Sequence, residues 1–432
     1  MRSTKSSFVG GLAGSAGARR RPATARPRGI VAVVCLLLLA GALVVVLALA
    51  SDVGLGVRMA TNREDVARAR CLAAAGVEQA FYIAATISAW RSLVAATGQD
   101  EPLMGNTAFA GGTFSAFIYD PDDPLGISDP LRPVEILGLG RYGTVERLLR
   151  MRAAPPVHET VTYAVCATLG NWDLSLSEAV SIMGAIRGNE DVRVTDGSAV
   201  SVAGDIYVPA TAFVSPSLLD GDTQRIDLAR ATAQPTPDFG WFTSRASRVN
   251  SVLLSAVVLS PTSNPYGWAN ADGLYYIDAA GLPVVIENVY LRGTLVIQNS
   301  PSVRFRKAFV HKAVRSDFPA ILCNASGEGV IFELDRPLDE AEYQKDYNED
   351  GDQLDILPCE INGIVFNGGS ITGFVAPGST VAVTVRGAVV ALSVSLRGSN
   401  VTIQQDLELL TRRVYGFVGQ GLRREPGSAV WH

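Results

Sequence analysis

The pattern of apolar and polar positions divides the chain into three regimes. Ile30 to Ala50 is a run of 21 residues without a charge, IVAVVCLLLLAGALVVVLALA. At about 1.5 Å of rise per residue, such a helix crosses the roughly 30 Å hydrocarbon core of a bilayer, with its backbone groups satisfied internally as lipid demands. The second regime, Val53 to Trp90, contains no proline and is rich in Ala, Arg, Glu and Leu, which favour helix. Within it Val66, Ala69/Cys71, Ala73, Val77, Ala80 and Ile83/Ala84 recur at steps of three and four, predicting one apolar stripe.

The third regime is a long series of short alternating strands. Residues 112–119, 134–137 and 144–151, with a Pro/Asp loop over 120–133, predict a small antiparallel sheet. From about residue 172 the pattern is strand, one residue, Gly, small residue, strand. This phrase occurs at 182–188, 202–208, 289–297 and 383–390, and similar runs fill 361–373 and 394–403. Irregular repeats of this kind predict a parallel β-helix, in which a rung buries its apolar side only by stacking; an antiparallel sandwich is the alternative. Gly suits the corners, where φ is positive. The fold class expected is therefore mainly β with a long N-terminal α-helix. A transmembrane helix continues into an amphipathic helix, then a small antiparallel sheet, then a right-handed parallel β-helix-like solenoid. The boundaries read as a basic leader over 1–29, a membrane helix over 30–50, an extracytoplasmic helix over 51–95 and a small β region over 96–170. The β-helix-like domain follows over 171–415, interrupted by an insertion over 209–275, and a C-terminal tail covers 416–432.

Charge orients this arrangement. The net charge is −5, yet the first 29 residues carry seven Arg and Lys and no acid. By the positive-inside rule they stay in the cytoplasm and the bulk of the chain lies beyond the membrane. The expected location is the inner membrane, single pass, with the bulk periplasmic or in a surface filament. A cleaved signal peptide ending at the Ala48-Leu49-Ala50 site is the competing reading, but its apolar run is normally only about 7–15 residues long. The acidic remainder offers no basic patch for nucleic acid.

Arg28-Gly29 followed at once by an apolar helix resembles a class III prepilin leader. The run Arg58-Met59-Ala60-x-Asn62-x-x-Asp65, then Ala69, Ala73, Ala75-Gly76-Val77-Glu78 and Ala80, resembles the helix of minor type IV pilins and of the large minor pseudopilins of type II secretion. The resemblance covers residues 26–90. It implies cleavage by a prepilin peptidase between Gly29 and Ile30, and packing against other pilin or pseudopilin subunits through the N-terminal helix. It further implies a small sheet set against that helix. Most pilins carry Glu at the fifth residue after the cut. Here that residue is Val34, a feature shared with the large minor pseudopilins, where it suits a subunit at a filament tip.

Chemistry is sparse. The three histidines, His158, His311 and His432, are far apart, and no His-Glu-x-x-His, Gly-x-Ser-x-Gly or P-loop pattern occurs. No enzyme is expected; a membrane-anchored β-helix that binds or cleaves surface polysaccharide is the alternative function. One loop has metal-ligand spacing: Asp346-x-Asn348-x-Asp350-Gly351-Asp352-x-x-Asp355. Oxygens at positions one, three and five with Gly at six are what an EF-hand-type loop presents to Ca²⁺. Leu357 stands where the bidentate Glu is expected, leaving Asp355 or Glu360 to replace it. A bound Ca²⁺ would be structural. Of five cysteines, Cys323 and Cys359 could form a disulfide in an oxidising compartment; isolated buried thiols are the alternative.

Overall fold

The computed structural model describes residues 28–87, 89–98, 101–123, 129–168, 174–195, 198–215, 223–226, 232–419 and 421–432. Residues 1–27 of the leader, and 216–222 and 227–231 within the 209–275 stretch, lie outside them. Helix α1 runs unbroken from Arg28 to Thr86. Residues up to Arg68 form one unit and Ala69–His432 a second. The described residues of the first unit, from Arg28 on, are helix alone. It contains a segment long and apolar enough to cross a membrane, and Leu36, Leu38, Val44 and Leu49 are among its exposed apolar side chains.

In the second unit α1 buries Ala69, Leu72, Ala73, Val77, Ala80, Ile83 and Ala84, the stripe that three- and four-residue steps predict. Cys71 is exposed, and Leu72 takes its place. A second helix, α2 (Trp90–Thr97), adds Trp90 and Val94, one turn apart on the same face. The stripe meets an antiparallel meander of β1 (Met104–Phe109), β2 (Gly112–Tyr119), β3 (Val134–Tyr142) and β4 (Val145–Ala154). Ala110 and Gly111, both at positive φ, close the first hairpin, as the right-handed twist of paired strands requires. The segment read as a tail returns to this sheet: Arg423–Arg424 and Val430–Trp431 pair antiparallel with β4.

Everything between β4 and Arg423 is inserted into that sheet. The outgoing and returning chains lie side by side. Val157 bridges Val418, His158 N donates to Phe417 O at 2.9 Å, and Gly419 N donates to Pro156 O at 2.8 Å. Among the described residues, the insert is built on a 17-stranded sheet in which adjacent strands pair in parallel. Its layers do not follow chain order. Residues 253–259 pair with 285–291, which pair with 304–312. The series continues through 321–334, 359–375 and 383–404. Val389 then pairs with Val165 and Val401 with Val180, and the stack goes on through 186–202 and 206–209 to 223–226. The chain thus joins the stack in the middle, runs to one end, crosses to the other and returns to where it began. The 209–275 stretch, expected to interrupt the pattern, supplies three strands to it: Thr223–Ile226, Ser247–Arg248 and Leu253–Leu259.

One apolar position per layer builds the interior. Val284, Val303, Val330, Ile371 and Val394 pair in succession and are all fully buried. Beside them Phe305, Phe332 and Phe374 stack at centroid spacings of 4.6 Å and interplanar angles of 13° and 8°. The spacing is the distance between paired strands, so the rings stack because the strands do. The recurring glycine has a definite role as well. A Cβ on Gly387 would stand 2.0 Å from Gly363 O, one on Gly293 2.0 Å from Gly273 O, and one on Gly204 2.4 Å from Gly184 C. Gly184, Gly293 and Gly387 also hold φ near +150°, a region favourable only to glycine.

Candidate functional site

The seat of α1 on the meander is built by absent side chains. A Cβ on Gly138 would stand 2.0 Å from Ala73 O, and one on Gly140 2.1 Å from Ala69 O. From the helix side, a Cβ on Gly76 would stand 2.7 Å from Ser115 O. Small residues on both partners let helix and sheet backbones touch. The C-terminal strands complete the seat: Arg424 pairs with Glu78 and lies over Phe81 at 5.0 Å, and Arg70 lies over Trp431 at 5.7 Å. Gly76 and Glu78, which carried the resemblance in sequence, are thus a backbone contact and an ion-pair partner. Gly29 and Ile30 lie in the first turn of α1, and Val34 is exposed.

The acidic loop folds on itself. Asp346 accepts from Asp350 N (3.2 Å) and Gly351 N (2.8 Å), Asn348 from Asp350 N (3.1 Å), Asp350 from Asp352 N (3.1 Å) and Asp352 from Leu354 N (2.9 Å). Asn348 Nδ2 donates to Asp350 (2.9 Å) and Asp355 (2.7 Å). Gly351 takes φ +101° at the bend. The residue that organises the loop is Glu340, which the spacing did not single out. Fully buried, it accepts from Tyr347 N at 2.7 Å and Asp355 N at 3.2 Å. One oxygen each from Glu340, Asp352 and Asp355 lie within 4.8 Å of one another. That set of hard oxygens fits a divalent cation. Desolvation, with the Asp350, Asp352 and Glu340 carboxylates nearby, raises the Asp355 pKa, as expected of crowded like charges. Of the residues the spacing implied, Asp352 and Asp355 belong to this set, and Glu340 joins them. Glu360 does not belong to it: its carboxylate lies 2.5 Å from Lys312 and 2.9 Å from Arg386. The loop also reaches the terminal strand 253–259. Lys345 Nζ donates to Ala256 O at 2.9 Å, and Glu349 accepts from Ser260 (2.7 Å) and Thr262 (2.8 Å) hydroxyls.

The pairing of Cys323 with Cys359 is not formed. Both are buried free thiols, and the register sets Cys323 opposite Asn367, eight residues along the strand from Cys359, outside disulfide reach. Burial raises both thiol pKa values, that of Cys359 to about 11. The histidines stay apart. His311, fully buried, accepts at Nδ1 from Asn362 N (3.1 Å) and donates from Nε2 to Gly293 O (2.6 Å). Desolvation lowers its pKa to about 4, so at neutral pH it is an uncharged bridge between layers.

No family model matches the chain, and no curated protein matches it. Among solved structures, the competence-associated pilin ComZ from Thermus thermophilus is similar at 10% identity, covering 85% of this chain and 97% of that one with a TM-score of 0.26. At that TM-score the likeness carries no weight of its own.

Proposed function

We propose that this chain is a structural subunit of the minor pilin or pseudopilin kind, serving a type IV pilus or a type II secretion filament. Its inserted parallel stack is a right-handed β-solenoid head displayed for assembly or adhesion, without catalysis. A prepilin peptidase removes residues 1–29. The helix from Ile30 anchors the protein in the inner membrane, with its N-terminal side cytoplasmic, and later packs against other subunits. The observation that carries this reading is the glycine-lined seat at Gly138 and Gly140, which holds the lower part of one unbroken helix whose upper part is apolar on every side. Such a helix is built to be surrounded, first by lipid and then by other helices. The solenoid is supported by the layer-to-layer pairing and by glycines stacked at equivalent corners.

The test is the mature N-terminus, read by mass spectrometry of membranes from cells that contain a prepilin peptidase. The expected chain starts at Ile30, and Gly29→Val leaves it uncut. A chain starting at Met1 or Ser51 in the parent overturns the reading.

The acidic loop, in this reading, binds Ca²⁺ through Glu340, Asp352 and Asp355 and pins residues 340–355 across the end of the stack. One bound ion at a hundredfold excess over Kd stabilises by about 2.7 kcal/mol. Calcium is expected to raise the melting temperature of the full chain and EGTA to reverse it, with the response lost in Asp352→Asn. A parent protein that melts identically with calcium and with EGTA excludes the site.

A further inference from the structure

We infer that one face of the parallel stack binds a linear acidic polysaccharide. Arg292 pairs with Lys312 in register. Asn362 hydrogen-bonds His311, the residue before Lys312, and pairs with Arg386, which pairs in turn with Gln404. Five successive layers therefore place a long polar side chain at one position, with three cations among them. At one strand spacing per step, the row extends about 19 Å. Arg292 and Gln404 are exposed, and the side chains of Lys312 and Arg386 are 44% and 59% exposed. Among the described residues, Glu360 is the one carboxylate paired with this row, and Arg292 has no ion pair. The row thus keeps a positive surplus on a chain whose remainder, beyond its basic first 29 residues, is acidic.

The row borders a groove of about 500 Å³. Asn362, Arg386 and Gln404 form part of its wall, Leu407, 71% exposed, is its accessible apolar side chain, and Asp406 at its edge pairs with Arg412. This combination suits a polyuronate. Guanidinium and ammonium groups take carboxylates, side-chain amides both give and accept hydrogen bonds with hydroxyls, and Leu407 offers an aliphatic surface to the C–H face of a sugar ring. Single-stranded nucleic acid is the poorer fit because it needs aromatic platforms for its bases. The aromatic ring at this groove, Phe318, is 6% exposed, with Arg315 4.2 Å from its centroid.

The experiment measures binding of the full chain in detergent micelles to fluorescent polygalacturonate, to neutral dextran of equal length and to oligothymidylate, across a salt series. Polygalacturonate is expected to bind best and to weaken with salt. Loss of two exposed charge contacts in Arg292→Gln/Arg386→Gln should weaken it about tenfold, with the chain still folded because Glu360 keeps its pairing with Lys312. Gln404→Arg, which extends the cation row without removing any partner, should tighten it. The inference is overturned if polygalacturonate does not bind, if either variant binds like the parent, or if oligothymidylate binds more tightly.

Discussion

Gly140→Val is expected to release helix α1 from its sheet. The new Cβ would stand 2.1 Å from Ala69 O, 2.3 Å from Ala73 N and 2.9 Å from Leu72 Cβ. Two of these are backbone atoms of a helix, so no rotamer change makes room, and the helix must move off the sheet as a body. Overpacking ordinarily costs about 1–3 kcal/mol. Here the shift also opens the contacts of Ala69, Ala73 and Val77, all buried, so a cost of about 4 kcal/mol or more is expected. That is a large part of the roughly 5–15 kcal/mol that holds a domain together. The readout is proteolysis and thermal unfolding of the full chain in detergent, with cleavage expected near residues 86–103 first. Gly105→Ala is the control, since its added carbon meets only Pro102 Cγ at 3.6 Å. If Gly140→Val unfolds like the parent, the close approach of helix and sheet is wrong.

Phe332→Ala is expected to cost about 3–5 kcal/mol, as removing a buried aromatic does when the walls cannot collapse. They cannot collapse here, because Phe305 and Phe374 sit 4.6 Å away on either side, Phe305 paired with Phe332 in register and Phe374 fixed next to Gly373, which pairs with Phe332. The loss includes two stacked contacts, each of about 0.5–1.5 kcal/mol beyond buried area. Phe332→Leu, which refills most of the space, should recover more than half. Because the three rings share one column, Phe332→Ala and Phe374→Ala should not add. Denaturant midpoints at constant slope measure all of this. A midpoint change worth less than about 1 kcal/mol for Phe332→Ala would mean that the ring column is not a continuous core.

The candidate metal loop shows where sequence reading stops short. The Asp346-to-Asp355 spacing marks a turn rich in oxygen and bent at Gly351, and the loop is such a turn. Which oxygens converge is another matter. Asp352 and Asp355 come together, while Glu340 arrives from upstream. Spacing counts donors along the chain, whereas convergence depends on how the folded backbone turns each donor toward the others, which can bring in a residue outside the spaced run. The disulfide fails for a related reason, since distance in sequence says nothing of which position faces which across layers.

By itself the sequence determined what depends on local chemistry. The uncharged run from Ile30 to Ala50 sets a membrane-length helix, because its backbone needs no partner outside itself. The three- and four-residue steps from Ala69 to Ala84 set which face is buried, and the glycine in the repeated phrase marks where neighbouring backbones leave no room for a Cβ. Tertiary structure alone decided the rest. Alternation with a period of two is the same for parallel and antiparallel neighbours, so it cannot choose partners. Val389 meets Val165, and Arg424 meets Ala153, across more than two hundred residues of chain. The two-residue strands at Ser247–Arg248 and Arg423–Arg424 have no periodicity to read. They are strands only because the edge they join is already there.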